Sequence, residues 1–279
     1  MLTIDIDPVA FSLGPLGEVT WYGITLAVAV IALLAITFHE LKRRGTPEGT
    51  IFNLLFWGVV GGAIGGKLVY LIGYWQIYGF DPSEILSPYG WALHGTIIGV
   101  VLAGAIYWSV RTGKISLQEL LGLGDAVAPG APLAQAIGRV GCTLNGCCWG
   151  SPTSLPWAVV YTHRDSFCGL KGILIHPAQI YFVLWNLVVF AVVWRLRNRL
   201  KPEGSLFLVY LSLYCAGDFG LRFFRDDPSV LGALKEGQII SLVILAIALP
   251  LLVIRMRWFR KKAGATPPSE PDRPQNQPG

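Results

Sequence analysis

The stretch GRVGCTLNGCCWG, residues 138–150, places one arginine and three cysteines in a glycine-rich segment of the chain. Arg139 stands between Gly138 and Gly141, where the missing side chains are expected to leave backbone amides open to a ligand. A planar guanidinium beside free amides suits a phosphate, because its fork of N–H groups can engage two oxygens at once. Arg139 is therefore the first candidate for binding an anionic group.

The cysteines of this stretch leave three interpretations open. Their spacing, Cys-x4-Cys-Cys, lacks the paired C-x2-C units of a structural zinc site and so predicts no metal. A disulfide from Cys147 or Cys148 to Cys168 would suit a loop outside the cytoplasm. A catalytic thiol would need a base nearby, and His94 or His176 could supply it.

The composition indicates where such groups must be held. Of the 279 residues, 53% are hydrophobic and only 14% are charged, whereas soluble domains average about 25% charged residues. Runs of about 18 or more apolar residues are long enough to cross ~30 Å of hydrocarbon. We therefore predict an all-α, polytopic membrane protein with seven transmembrane helices, over residues 21–38, 51–75, 91–110, 120–136, 180–194, 204–221 and 238–254. The span 120–136 is the weakest, because Pro129 and Pro132 interrupt it.

The basic residues predict an orientation. Lysine and arginine collect after the first, third, fifth and seventh spans, whereas the N-terminal segment and the loop around Asp81 and Glu84 contain neither. The positive-inside rule then places the N-terminus outside and the C-terminus in the cytoplasm. The net charge of +5 is explained by this pattern and does not require nucleic-acid binding. We predict a single membrane domain over residues 1–262 and a disordered, proline-rich cytoplasmic tail over residues 263–279.

Eight ionisable residues lie inside or beside the predicted spans: Lys67, His94, Asp125, Arg139, His176, Asp218, Arg222 and Arg225. A charge at the bilayer centre costs about 3 kcal/mol on insertion scales, so such groups usually face a polar cavity. Four different segments bring His94, Arg139, His176 and the pair Arg222 and Arg225 to the outer level of the membrane. This convergence favours a site there.

Structural roles remain open for several of these residues. Arg222 and Arg225 could lie at the end of a span and reach the interface, and Asp218 and Arg222, four residues apart, could form an ion pair on one helix face. His94 could be a buried core histidine. Lys67 follows closely spaced glycines, which favours a structural or lipid-anchoring role.

Several motifs, in this order along the chain, resemble those of bacterial prolipoprotein diacylglyceryl transferases. They are DPVAFSLGP before the first span, WYG at its start, HG at His94, GDAVAP in the fourth span, GRVGCTLNGCCWG, and HPAQIY at residues 176–181. Each motif is short, but together they extend from Asp7 to Arg225. The family is similar in having seven spans with an outer N-terminus and a cytoplasmic C-terminus.

The resemblance implies a transferase of the bacterial inner membrane. Such an enzyme moves the diacylglyceryl group of phosphatidylglycerol to the lipobox cysteine of a prolipoprotein, forming a thioether and releasing glycerol phosphate. The implied partners are phosphatidylglycerol, prolipoprotein signal peptides and other membrane lipids, without nucleic acid. The resemblance further implies a monomer that needs no metal and no organic cofactor.

The family's functional positions can be placed on this chain. The resemblance implies catalytic roles for Tyr22, His94, Arg139 and Tyr214, with His94 as general base and Arg139 on the lipid phosphate. It places substrate binding at Asn145, Gly150, His176, Gln179, Arg222 and Arg225, together with Arg139.

The chain departs from the family pattern at several of these positions. Cys142 stands where the family usually has asparagine, Cys147 where it has an acid, and Phe182 where it has glutamate. Asp218 and Arg222 exchange the usual signs of a charged pair. These departures keep two alternatives open: a diverged membrane lipid-group transferase with another acceptor, and a non-enzymatic transporter or scaffold.

Overall fold

The computed structural model describes residues 2–14, 17–75, 90–113 and 117–264. Eight helices contain most of these residues: α1 Trp21–Arg43, α2 Glu48–Gly73, α3 Leu93–Thr112, α4 Leu117–Val127, α5 Ala131–Asn145, α6 Ala178–Leu196, α7 Ser205–Leu221 and α8 Glu236–Gly264. The loop around Asp81 and Glu84 and residues 265–279 of the predicted tail lie outside the described residues. Residues 263 and 264 are the last residues of α8, and the division into a membrane domain and a cytoplasmic tail stays a prediction.

Six of the described helices are long and apolar enough to cross a membrane, namely α1, α2, α3, α6, α7 and α8. The predicted span 120–136 is wrong as a single helix, because a turn at residues 128–130 divides it between α4 and α5. Pro129 has no amide with which to continue α4. Pro132 lies in the first turn of α5, where the amide would have no helical partner in any case.

The described residues also form three short two-stranded sheets outside the helices, which the sequence did not predict. They pair β1 Leu2–Ile4 in parallel with β4 Val159–Tyr161, and pair in antiparallel fashion β2 Val9–Ser12 with β3 Glu18–Thr20 and β5 Ser229–Leu231 with β6 Leu234–Lys235. The first of these sheets covers a small hydrophobic core formed by Ile4, Val159, Tyr161, Cys168 and Ile175. This core lies beyond the helices and supports the loop that follows α5.

The helices form a bundle with two distinct ends. Helices α1, α5, α6, α7 and α8 each pack against the next in that order, α4 contacts α1 and α7, and α2 packs mainly with α3. We call the end that carries Tyr22, His94, Asn145 and Gln179 the site end. The opposite end, which carries Arg44, Arg111 and Arg197, is called the basic end.

Two buried carboxylates hold the basic end together. Asp125 of α4 accepts hydrogen bonds from the amides of Gly204 at 2.6 Å and Phe207 at 2.8 Å. These amides lie at the start of α7, where they have no partner within the helix. Glu40 of α1 is fully buried and forms an ion pair with Arg197, which follows α6. Asp125, one of the charges left unexplained by the sequence, therefore acts as a cap for α7.

Helices α2 and α3 meet at glycines. A Cβ atom on Gly65 would lie 2.4 Å from the carbonyl oxygen of Gly95, and one on Gly61 would lie 2.5 Å from that of Gly99. Small residues of this kind let helices approach closely in lipid, where association depends on van der Waals packing. The resulting hairpin carries His94.

We expect Gly65→Ala to destabilise this hairpin by about 1–3 kcal/mol, because the added methyl group meets backbone atoms that cannot rotate away. Gly49→Ala, on the same helix, is the matched control, since a Cβ atom there has no neighbour within 4 Å and alanine favours helix. The measurement is the free energy of unfolding of both variants in detergent micelles. Equal stability of the two variants would contradict the close packing.

Candidate active site

Arg139 is a half-buried positive charge on α5, the helix that packs between α1 and α6. Its guanidinium carbon lies 4.5 Å from the centre of the Phe182 ring on α6, which is a cation–π contact. In the part of the chain that the structure describes, Arg139 takes part in none of the ion pairs. The aromatic ring therefore supports the guanidinium without neutralising it.

The backbone around Arg139 differs from the sequence prediction. Residues 138–141 lie inside α5, so their amides are engaged in the helix and are not free donors. The two glycines serve packing: a Cβ atom on Gly141 would lie 2.0 Å from Oγ1 of Thr25, whereas one on Gly138 would have no neighbour within 4 Å. Gly141 thus lets α1 approach α5, and Gly138 leaves space beside Arg139.

Two tyrosines predicted to be catalytic lie near this guanidinium. Tyr22, at the start of α1, is opposite Gly141 and close enough to interact electrostatically with Arg139. Tyr214 of α7 approaches Arg139 in the same way from the other side of the bundle. Three helices therefore bring a guanidinium and two phenol groups together.

Arg222 and Arg225 differ from Arg139 because acids neutralise them. Arg222 Nε donates to Asp218 at 2.7 Å, which confirms the predicted i, i+4 pair, and its Nη1 lies 3.2 Å from Asp227. Arg225 Nη2 donates to the same Asp227 at 2.7 Å. Among the described atoms, only the Nε of Arg225 in this group is a buried donor without a partner. A cavity of about 250 Å³ opens beside both arginines, at the site end.

The loop after α5 is held against α6 and the end of α7. Gln179 is 1% exposed, and its Nε2 donates to the carbonyl oxygen of Cys147 at 2.9 Å. Gly150 pairs with Arg225 in a β-bridge, and a Cβ atom on Gly150 would lie 2.3 Å from the carbonyl oxygen of His176. These contacts place Arg225 beside the cysteines of the loop.

Two further predicted binding residues also contribute to this framework. The carbonyl oxygen of Asn145, the last residue of α5, accepts from the amide of Phe167 at 3.0 Å. The His176 ring lies 5.1 Å from that of Phe224, and its Nδ1 is 3.3 Å from the hydroxyl of Tyr181. Both residues therefore lie in the wall of the site end.

The cysteines are arranged differently from the predicted disulfide. All five are free thiols, and Cys168 is buried in the core beneath β1 and β4. The sulfur atoms of Cys142, Cys147 and Cys148 instead lie within 4.8 Å of one another. The disulfide to Cys168 is absent because the fold directs Cys147 and Cys148 towards α5.

The thiols of Cys148 and Cys168, both in loops, have different surroundings. Hydrogen bonds from the thiols of Cys142 and Cys147, followed by the charges of Arg225 and Arg139, lower the pKa of Cys148. Burial raises the pKa of Cys168.

His94 is at the site end but outside this cluster. It lies in the first turn of α3 and is exposed, so the alternative of a buried core histidine is wrong. Helix α3 packs mainly against α2, and no described contact joins His94 to Arg139. The structure thus brings together all the predicted residues of α1, α5, α6 and α7 but keeps His94 on a neighbouring hairpin.

Two features of this arrangement could not be predicted from the sequence. Phe182 stood out only as a departure from a family pattern, and nothing local indicated that its ring would lie under Arg139. The three-thiol cluster was also missed, because the spacing of Cys142, Cys147 and Cys148 does not follow a paired motif. The contact of Phe182 with Arg139 depends on packing between α5 and α6, and the thiol cluster depends on the irregular loop after α5.

Comparison with known proteins gives a consistent result. The family model for prolipoprotein diacylglyceryl transferase matches residues 8–254. A phosphatidylglycerol–prolipoprotein diacylglyceryl transferase from Dehalococcoides mccartyi is 37% identical over 258 residues, covering 92% of this chain and 96% of that protein. Proteins of the same name are 35% identical in Clostridioides difficile, with 85% and 91% covered, and 32% identical in Staphylococcus aureus, with 94% and 95% covered.

We expect Gln179→Leu to lower the free energy of unfolding by about 1–3 kcal/mol, because the Cys147 carbonyl loses its buried donor. Gln118→Leu is the control, since Gln118 is exposed at the start of α4 and its loss should be nearly neutral. Thermal unfolding of both variants in detergent provides the measurement. If both variants unfold at the same temperature, Gln179 does not anchor the loop.

Proposed function

The chain belongs to the prolipoprotein diacylglyceryl transferase family, and we propose that Arg139 binds the phosphate of its lipid substrate. The protein transfers the diacylglyceryl group of phosphatidylglycerol to a prolipoprotein. In this reaction, a bond forms between the acceptor cysteine sulfur and the terminal glycerol carbon. The bond between that carbon and the phosphate oxygen breaks, the oxygen keeps the electron pair, and glycerol phosphate leaves.

The transfer makes two electrostatic demands on the protein. The acceptor thiol must lose its proton, because the thiolate is the nucleophile. The leaving phosphate must be stabilised as it gains charge, and donors preorganised in a site that excludes water do this more effectively than water does. The residues at the site end are suited to the second demand.

The observation that carries the proposal is the unneutralised guanidinium of Arg139. It lies half-buried over Phe182, without a carboxylate partner in the described residues, and space remains beside Gly138. A partly buried cation without a counter-ion is unfavourable until it binds an anion. The lipid phosphate supplies that anion, and the fork of the guanidinium can hold two of its oxygens.

Tyr22 and Tyr214 assist Arg139 from opposite sides. Their hydroxyl groups donate hydrogen bonds to ester or phosphate oxygens and orient the glycerol carbon towards the thiol. Arg222 and Arg225 bind the head group more weakly, because Asp218 and Asp227 already offset their charge.

The wall of the site end completes the binding site. Asn145, Gly150, His176 and Gln179 line the substrate-binding site in this proposal, and their hydrogen bonds and close contacts support a role in keeping the loop after α5 in position. The acceptor is the lipobox cysteine of a signal peptide, which enters from the lipid between the helices. A monomer suffices for this arrangement.

His94 is the general base that takes the thiol proton. An imidazole is suited to proton transfer near neutral pH, and the exposure of His94 at the start of α3 leaves it accessible. The hairpin of α2 and α3 brings His94 to the substrates at the same end of the bundle as Tyr22.

The enzyme lies in the bacterial cytoplasmic membrane with seven crossings, the N-terminus outside and the C-terminus inside. Helices α4 and α5 together make one crossing in addition to those of the six long helices. Asp125 of α4 binds the start of α7 at the basic end, whereas α5 ends at the site end. The basic end faces the cytoplasm by the positive-inside rule. The site end then faces outwards, where prolipoproteins are modified.

Arg139→Ala should reduce transfer by at least about 10²–10³-fold, because removing one preorganised donor of a leaving-group site has an effect of this size. Arg164→Ala is the matched control: the Arg164 side chain is 90% exposed in an outer loop, and its ion pair among the described residues is with the neighbouring Asp165. The assay follows release of glycerol phosphate from phosphatidylglycerol and the mass gain of a cysteine-bearing signal peptide. Retained transfer by a folded Arg139→Ala protein would contradict the role in phosphate binding, and release without peptide modification would indicate another acceptor.

His94→Gln should lower the transfer rate at neutral pH by about 10²–10⁴-fold, because glutamine cannot accept the thiol proton. The measurement is the rate at which glycerol phosphate is released and the signal peptide is modified. His163→Gln, in the outer loop, is the control and should keep the wild-type rate. An unchanged rate for His94→Gln would assign the base to another group.

A further inference from the structure

The most unusual group in the molecule is the set of three thiols at the end of α5. Cys142 is buried on the last turns of the helix, and Cys147 and Cys148 lie half-buried in the loop that follows it. Their three sulfur atoms all lie within 4.8 Å of one another. The proposed reaction uses none of them, because the sulfur that is alkylated belongs to the acceptor.

The backbone of this segment is arranged to bring the third thiol to the cluster. Gly146 ends α5 with φ of 78°, and Cys148 has φ of 60°, a left-handed conformation that non-glycine residues seldom adopt. The loop is held there by the bond from Gln179 to the carbonyl oxygen of Cys147. The sulfur atoms are therefore positioned by a fixed framework.

The spacing of the sulfur atoms fits one tetrahedral metal ion. Zinc–thiolate bonds of about 2.3 Å at tetrahedral angles place the sulfur atoms about 3.8 Å apart, a distance reached by small rotations of the three side chains.

The number of ligands points to an open site. No fourth cysteine, histidine or acid joins the group in the described residues. Structural zinc sites have four protein ligands, whereas sites with three leave the fourth position for a substrate or water. A thiol that occupies such a position is deprotonated by the metal.

We propose that Cys142, Cys147 and Cys148 form a three-thiolate zinc site whose fourth ligand is the acceptor cysteine of the prolipoprotein. The zinc-bound thiolate is held beside Arg139, which binds the phosphate of the lipid. The proton of the acceptor thiol passes to His94, the sulfur attacks the glycerol carbon, and glycerol phosphate leaves with the electron pair of the broken bond. The catalytic part of this inference rests on the proposed function, whereas the binding of zinc does not.

The first test measures metal binding to the full-length protein in detergent, kept reduced and dialysed against Zn²⁺. We expect about one zinc per chain, as for a single tetrahedral site. The single substitutions Cys142→Ser, Cys147→Ser and Cys148→Ser should each reduce the bound zinc at least tenfold. Cys168→Ser and Cys215→Ser are the matched controls, because these buried thiols lie outside the cluster, and they should retain it. Zinc-free wild-type protein, or a disulfide within the cluster under reducing conditions, would overturn the site.

The second test uses no substitution in the cluster and examines the fourth ligand. The protein is loaded with Co²⁺, whose thiolate charge-transfer absorption reports the number of bound sulfur atoms. A signal peptide with its lipobox cysteine should increase this absorption by about one third, since four thiolates replace three, and the same peptide with serine should not. An identical response to both peptides would overturn the role of the acceptor as ligand.

The transfer assay separates this inference from the proposed function. Equal transfer by zinc-loaded and chelator-treated wild-type protein would overturn a catalytic metal while leaving the transferase intact. Bound zinc with no release of glycerol phosphate under any condition would leave the metal site intact and contradict the proposed function. We expect transfer to fall at least tenfold on chelation and to return when Zn²⁺ is restored.

Discussion

The guanidinium of Arg139, held over the ring of Phe182 within the helix bundle, constrains much of the rest of the structure. A permanent charge at this depth is unfavourable unless it faces a polar cavity or a counter-ion. Phe182 provides an attractive but uncharged surface, so the charge is stabilised without being cancelled. The fold must then bring polar groups to the same place while keeping the surrounding helices apolar.

The arrangement of helices meets this requirement by close packing at small residues. Gly141 allows α1 to approach α5, and the approach places Tyr22 beside the arginine, while Tyr214 reaches it from α7. At the basic end, Asp125 fixes the start of α7, which sets the position of Tyr214 along the bundle. Interactions at one end of the molecule thus determine the geometry at the other.

Charge is distributed unevenly among Arg139, Arg222 and Arg225 at the site end. Arg222 pairs with Asp218 and Asp227, and Arg225 pairs with Asp227. The β-bridge between Arg225 and Gly150 holds the segment after α7 against the loop that carries the cysteines. Arg139 has no such partner among the described residues. The paired arginines therefore maintain the structure, whereas Arg139 is left without an ion-pair partner among the described residues.

The sequence by itself determined the membrane class and six of the spans, because the length of an apolar run is a local property. It also singled out Arg139 as a candidate and offered the ion pair of Asp218 with Arg222 as one alternative, since each depends on residues that are close along the chain. Only the tertiary structure decided that residues 120–136 divide into two helices, that Phe182 lies under Arg139, and that three cysteines form one cluster. These features depend on packing between separate helices and on an irregular loop, and no local pattern of residues encodes such contacts.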